Sequence, residues 1–376
     1  MTKILNKITS LDLYLNYPAK SVIEAKCIED VASGIYPVYY IKFKNHLKVS
    51  SSAVALIKDS KELILNPDFK PDFTQKEWYN GRCTIDKRVN KLKPFEIRTK
   101  NSSKIDFNPT RKLKDKDEFI NKSIVYFKKF VNDIERRFPE YHHVVLTGGK
   151  DSQMIHLVPK LNEKKWNILS EEPNANLVKK WLVANNIHIN HFFRIDNVSD
   201  EDEFFLIKKV VNGDCMSNPE HIRRGKTMIK ISDFFNKKCI FWVGTLGDTI
   251  YNCHIEDYRK NNYRDYFETH FNRGSSWQGN FHQTHFNLTG CPILSMYHSK
   301  DIWEKLYQKF DPSISENIDL RKEMGSKLAR RNIKWLVQNP HPKPWLINLR
   351  LKKDLLKIYI DKVNNLVKKS MPSHTS

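Results

Sequence analysis

Apolar and polar positions change period along the chain, and each change predicts a different kind of element. Over residues 36–49 they alternate about an Asn45-His46 turn, as the strands of a hairpin do. Val54, Leu56 and Ile57, then Leu63, Ile64 and Leu65, continue a strand-rich stretch covering residues 20–98. Residues 98–117 are polar and lysine-rich and read as a linker. From Glu118 onward Phe119, Ile120, Ile124, Phe127, Val131 and Ile134 recur at helical spacing, and the pattern stops near Pro139.

Beyond Pro139 short β-branched runs alternate with helical patterns. Strands are predicted at 143–147, 166–170, 188–192 and 239–243, with helices starting at Asp151 and spanning 177–185, 203–211 and 221–235. Strands alternating with helices imply βαβ units, hence an α/β fold with a doubly wound, mostly parallel sheet. The expected organisation is a smaller β-rich domain over 1–105 and an α/β domain over 118–376. Residues 254–290 are rich in aromatics, His and Asn without clean periodicity and read as a long functional loop. Helices follow at 302–310, 320–328 and 346–367, the last a docked amphipathic tail with a solvated lysine face.

Composition narrows the function classes. The 376 residues carry a formal net charge of +21. Either a polyanionic partner or acidic substrate is attracted, or the bias simply follows a chain rich in Lys, Asn and Ile. No recognisable RNA-binding module is present, so nucleic acid is the second choice of partner. Six scattered cysteines without a Cys-x-x-Cys argue against zinc ribbons and iron–sulfur sites. Reduced thiols, the absence of a signal-peptide pattern and the absence of a membrane span predict a cytoplasmic protein.

The segment 144–152, Val-Val-Leu-Thr-Gly-Gly-Lys-Asp-Ser, is the most informative. An apolar strand ends in two glycines, and a helix follows whose free N–H groups would face the turn and favour phosphate. A plain strand–turn–helix is the alternative. The segment lacks the Gly-Lys-Ser/Thr ending of a Walker A loop. It resembles instead the Ser-Gly-Gly-x-Asp-Ser pyrophosphate loop of enzymes that cleave ATP between its α- and β-phosphates.

Two later segments, in order, are similar to the asparagine synthetase group, which includes β-lactam synthetases and lasso-peptide cyclases. Residues 243–251, Val-Gly-Thr-Leu-Gly-Asp-Thr-Ile-Tyr, look like that family's Gly-Glu-Gly-Ala-Asp-Glu turn. Residues 290–295, Gly-Cys-Pro-Ile-Leu-Ser, resemble its Pro-Phe-Leu-Asp turn, and Lys343-Pro344-Trp345 follows in the tail. Upstream, residues 85–94 resemble the closing segment of its glutaminase-like domain.

The resemblance implies an ATP pyrophosphatase-type fold and an AMP-forming carbon–nitrogen ligase. Its substrates would be a small-molecule or peptide carboxylate and an amine or ammonia, and a homodimer is compatible with it. ATP would be held by Leu146, Thr147, Gly148, Gly149, Lys150, Asp151 and Ser152, with Gly244 and Gly247. Ile168, Leu169 and Ser170 would lie beside the adenine, and Asp151 and Asp248 would hold Mg²⁺. Thr245 and Lys343 are the implied catalytic residues.

Departures from the family matter. Thr2 stands where its glutaminases have cysteine, so glutamine hydrolysis is not expected. Thr245 replaces the Glu or Tyr of relatives, and Asn287, Leu288 and Gly290 replace a Glu and an Arg. A base must then come from elsewhere, with His254, His270, His282 and His285 as candidates. The competing functions are a pyrophosphate-loop tRNA-modifying enzyme and a catalytically degenerate nucleotide-binding protein.

Overall fold

The computed structural model describes residues 4–31, 34–68, 84–108, 110, 112–195, 220–245, 247, 278–315, 320–336 and 349–370. Two four-stranded sheets come first in the chain. Their elements are β1 (Ile8–Thr9), α1 (Ser10–Asn16), β2 (Ile23–Ala25), β3 (Cys27–Glu29), β4 (Tyr39–Phe43), β5 (His46–Ser50), α2 (Ala53–Asp59), β6 (Asn90–Lys91), β7 (Glu96–Thr99) and β8 (Ser103–Ile105). One sheet has the order β1-β3-β7-β8 and the other β2-β5-β4-β6, antiparallel except for the β1–β3 pair.

The predicted hairpin is present with its turn one residue earlier. Phe43 pairs with His46, so Lys44 and Asn45 form the turn, and Lys44 takes the positive φ of 37° that the reversal needs. His46 is drawn into the strand because it is buried and lies 3.5 Å from Glu24.

Residues 53–59 are helix rather than strand. Ala53, Val54, Leu56 and Ile57 fall on one helical face and are buried, and the Ser52 hydroxyl caps the helix by accepting the Ala55 N–H at 3.0 Å. The expected linker is ordered at both ends. Residues 96–105 form the β7–β8 hairpin, and Leu113 is tied to the far end of the chain through the Lys309 carbonyl at 2.7 Å.

Next comes the α/β portion: α3 (Lys116–Arg137), β9 (His142–Leu146), α4 (Lys150–Leu157), β10 (Trp166–Glu171), α5 (Ala175–Ala184), β11 (Phe192–Ile195), α6 (Glu220–Phe234) and β12 (Cys239–Trp242). It continues with α7 (Gly279–Thr289), β13 (Ile293–Leu294), α8 (Lys300–Lys305), α9 (Leu320–Ala329) and α10 (Leu349–Ser370). α3 has an Asp115 cap, acidic residues in its first turn and Arg136 and Arg137 in its last, each favourable to the helix dipole. The third strand-like run begins four residues later than the pattern suggests, at Phe192. The predicted helix at 203–211 lies outside the described residues.

The five strands β11-β10-β9-β12-β13 form one sheet, and every neighbouring pair in it is parallel. The chain is therefore a mixed α/β structure built on a parallel sheet. Alternate strand residues separate into two apolar clusters, as the pleat requires. Val145, Ile168, Ile240, Trp242 and Leu294 face α3, α4, α5 and α9, whereas Val144, Leu169, Phe241, Val243 and Ile293 face α6 and α7. With both faces covered, the strands can be apolar throughout, which is why 239–243 reads Cys-Ile-Phe-Trp-Val.

α7 corrects the expectation of a loop up to residue 290. Residues 279–289 are helical and almost wholly buried, and Gly290 ends the helix at a left-handed φ of 73°. Its polar side chains concealed it. Gln283 accepts the Tyr39 hydroxyl at 2.9 Å, Asn287 accepts the Ser51 hydroxyl at 3.2 Å, and the Thr284 and Thr289 hydroxyls donate to carbonyls one turn back. The remainder of that segment, with His254 and His270, lies outside the described residues.

α10 docks as expected of an amphipathic tail. Val363 and Val367 pack against Val54, Leu56 and Ile57 of α2, while Lys357, Lys368 and Lys369 stay exposed. No helix among the described residues is long and apolar enough to cross a membrane.

Candidate functional site

In the central sheet the strand order, renumbered from β9, is 3-2-1-4-5, so the chain reverses its direction of travel between β9 and β12. Ligands of such sheets bind in the crevice that this reversal opens at the carboxyl ends of the strands. Trp242 pairs with Val145 in register, so the residues that follow each strand emerge side by side into that crevice.

After β9 the chain turns through Thr147, Gly148 and Gly149 into α4. Thr147 is fixed on several sides: its N–H donates to the Leu169 carbonyl at 2.8 Å, and its carbonyl accepts the Ser170 hydroxyl at 2.8 Å. The His156 ring nitrogen lies 2.7 Å from its hydroxyl. Ser170 is thus engaged in shaping the turn, while Ile168 and Leu169 are fully buried on opposite faces of the sheet. The N–H groups of Gly148 and Gly149 converge on the Ser152 Oγ at 3.2 and 3.4 Å, and that hydroxyl donates to the Gly149 carbonyl. Lys150 opens α4 and is partly exposed.

The segment after β12 lies directly on this turn. A Cβ on Gly244 would stand 2.5 Å from the Ser152 nitrogen and 2.7 Å from the Asp151 carbonyl carbon. On Gly247 it would stand 2.8 Å from the Asp151 carboxylate. Glycine is required at 244 because the two backbones touch there, whereas at 247 the close neighbour is the Asp151 side chain. Two motifs nearly a hundred residues apart in sequence therefore meet around Asp151. Of the other expected site residues, Asp248 and Lys343 lie outside the described residues.

Thr245, between these glycines, is gripped from three directions. Its carbonyl accepts the Ser295 hydroxyl at 3.2 Å and the His298 Nε2–H at 3.1 Å. Its hydroxyl lies 3.1 Å from His282 Nε2. His282 Nδ1 is 3.0 Å from the Ile293 carbonyl, which can only accept, so Nδ1 carries the proton and Nε2 receives the Thr245 hydroxyl. Burial lowers His282 to about 4 and His298 to about 3, which keeps both rings neutral at pH 7. The third motif joins the site here, since Ser295 follows β13 and its N–H donates to the Tyr36 hydroxyl at 3.2 Å. His285, the other described candidate base, is packed at 4.5 Å against the Phe281 ring.

Three participants carried no legible sequence signal. The Arg321 Nη1, at the start of α9, is 2.5 Å from Asp151 Oδ1, with only 6% of its side chain exposed against 19% for Asp151. The Tyr297 hydroxyl donates to the Asp151 carbonyl at 2.8 Å. His298 is the third. All three come from parts of the chain that read simply as helix or turn.

These residues suit a polyphosphate. A helix N-terminus, closely approached glycines, one carboxylate and a buried guanidinium lie together at the carboxyl end of the parallel sheet, as charge neutralisation of phosphate requires. For Mg²⁺ the described donor is Asp151, a hard oxygen ligand of the appropriate kind.

A second acidic cluster is different in character. Oxygens of Glu29, Asp106 and Glu304 lie within 4.8 Å of one another, but Glu29 is bound by Lys7 at 2.5 Å and Lys300 at 3.0 Å. Burial would raise the Glu29 carboxyl, yet the hydrogen bonds from the two lysines hold it below its ordinary value. The cluster is an ion-paired seam between β3 and α8.

Comparison with protein-family models and with curated proteins gives no match for this chain.

Proposed function

We propose that this chain is an ATP-dependent synthetase that activates a substrate carboxylate by adenylyl transfer and passes the acyl group to an amine or ammonia, releasing AMP and pyrophosphate. An ATP pyrophosphatase-type fold belongs to the same proposal. The observation that carries it is the meeting of the 147–152 turn and the 244–247 turn around Asp151, at the reversal point of a parallel sheet.

Each group then has a chemical role. The α4 N-terminus would orient the phosphates, and Gly244 permits the close approach of the two turns. Asp151 would hold Mg²⁺, which supplies charge neutralisation for the departing pyrophosphate. Thr245, held by neutral His282 and His298, presents its hydroxyl beside the same crevice, where it can orient the attacking amine. Glutamine hydrolysis is not part of the proposal, and the amine or ammonia is taken from solution or a partner.

The direct test is calorimetry with Mg²⁺–ATP, together with product analysis in the presence of a panel of carboxylates and amines. Wild type should bind Mg²⁺–ATP and yield AMP and pyrophosphate, and Asp151→Asn should lose both. Binding that survives the substitution undiminished, or ADP and phosphate as products, would overturn the proposal.

A further inference from the structure

Asp151 holds a divalent cation poorly while it keeps its present partner, because the partner's positive charge repels the ion. The Arg321 guanidinium occupies the Asp151 Oδ1 at 2.5 Å, so a cation binding the same carboxylate would sit beside a full positive charge. The guanidinium is 6% exposed, so it needs a counter-charge whatever the state of the site. The backbone that carries it is anchored. Lys327 binds Asp117 at 2.6 Å and Lys116 binds Glu323 at 2.9 Å, which fastens α9 to the start of α3. Gly325 packs tightly beneath the Trp335 ring and against Leu157. Exchange of partners at Arg321 must therefore come from its own flexible stem, not from movement of the helix.

We infer that Arg321 is the phosphate-binding cation of this site, neutralised by Asp151 until a polyphosphate and a metal arrive together. This rests on the function proposed above. A planar guanidinium released from Asp151 finds a better partner in a phosphate, which it can bind through two parallel N–H bonds. Asp151, released in turn, becomes available to the metal. Each ligand removes the obstacle to the other, so metal and polyphosphate bind with positive coupling, and the coupling runs equally in both directions. Among the described residues, the empty site sets this guanidinium against this carboxylate.

The experiment uses the full chain and two probes, Mg²⁺ alone and inorganic pyrophosphate, each titrated separately and in the presence of the other. In wild type, Mg²⁺ alone should bind weakly, and pyrophosphate should tighten it at least tenfold. Arg321→Gln retains a hydrogen-bond donor for Asp151 but no charge. It should bind Mg²⁺ alone at least tenfold more tightly than wild type and pyrophosphate at least tenfold more weakly. A merely structural arginine would change stability and leave these opposite shifts absent. Arg321→Lys keeps the charge without the fork, so it should still suppress Mg²⁺ binding while losing at least threefold in pyrophosphate affinity. It decides the matter if the Gln variant does not fold. Unchanged affinities for both probes in a folded variant overturn the role of Arg321. A wild type that binds neither pyrophosphate nor Mg²⁺–ATP overturns the proposed function instead.

Discussion

Mild acid should weaken this protein before its carboxylates begin to protonate. His143, His282 and His298 are each at most 2% exposed, and burial lowers them to about 3, about 4 and about 3 from an ordinary 6.5. Two of the rings are also held in their neutral form by their partners. His143 Nδ1 accepts the Trp242 indole N–H at 3.0 Å, and His298 Nδ1 accepts that of Trp303 at 3.3 Å, so a second proton would place two donors face to face. The folded protein excludes protons that the unfolded chain binds below pH 6.5. Stability is thus complete above that value and falls as pH drops toward the folded values. At pH 5.5 each histidine forfeits about 1 kcal/mol or a little more, RT ln(1 + 10), and with His156, which burial likewise lowers to about 3, the four together about 5–6 kcal/mol. This amount hardly depends on the folded values while they remain well below 5.5. It is a large part of the roughly 5–15 kcal/mol available to a typical domain. Urea titrations followed by tryptophan fluorescence at pH 7.5 and 5.5 measure the difference. His282→Gln should reduce it by about a quarter, since one of four titrating rings is gone. Equal stability at the two pH values, or a gain on acidification, would refute the assignment of these rings as buried and neutral.

Two further outcomes follow from packing. Gly244→Ala forces a methyl group to within 2.5 Å of the Ser152 nitrogen. It should cost about 1–3 kcal/mol in urea titrations and abolish detectable Mg²⁺–ATP binding, since the turn must be displaced; wild-type affinity would show that the close approach does not matter. Val363→Asp places a carboxylate in the apolar contact between α10 and α2, at a cost of about 3 kcal/mol if it remains docked. The tail should therefore detach, giving faster tryptic cleavage after its lysines, and protection equal to wild type would contradict that docking.

Local patterns were most legible where local physics sets the structure. The period of Phe119 to Ile134 gave α3, and the apolar run at 239–243 gave a strand because a sheet covered on both faces has no polar side to show. The strand–Gly-Gly–helix order located the turn at Thr147 and Asp151 without any coordinates. Two segments misled. Ala53 to Asp59 is a helix whose β-branched residues resemble a strand until the Ser52 cap is weighed, and α7 has polar residues where an amphipathic pattern would have apolar ones. Gln283, Asn287 and His282 are held in the interior by partners on β4, in the Ser51 loop and after β12.

The sequence by itself determined the alternation of strands and helices, the strand–turn–helix at 142–157 and the glycines at 244 and 247, since each follows from residue chemistry acting over a few neighbours. Tertiary structure alone decided that those turns meet at one crevice, that His282 and His298 close on Thr245, and that Arg321 reaches Asp151 across 170 residues of chain. The reason is physical. Strand order and helix packing bring together groups that share no local period, and a buried arginine looks in sequence like any other charge on a helix.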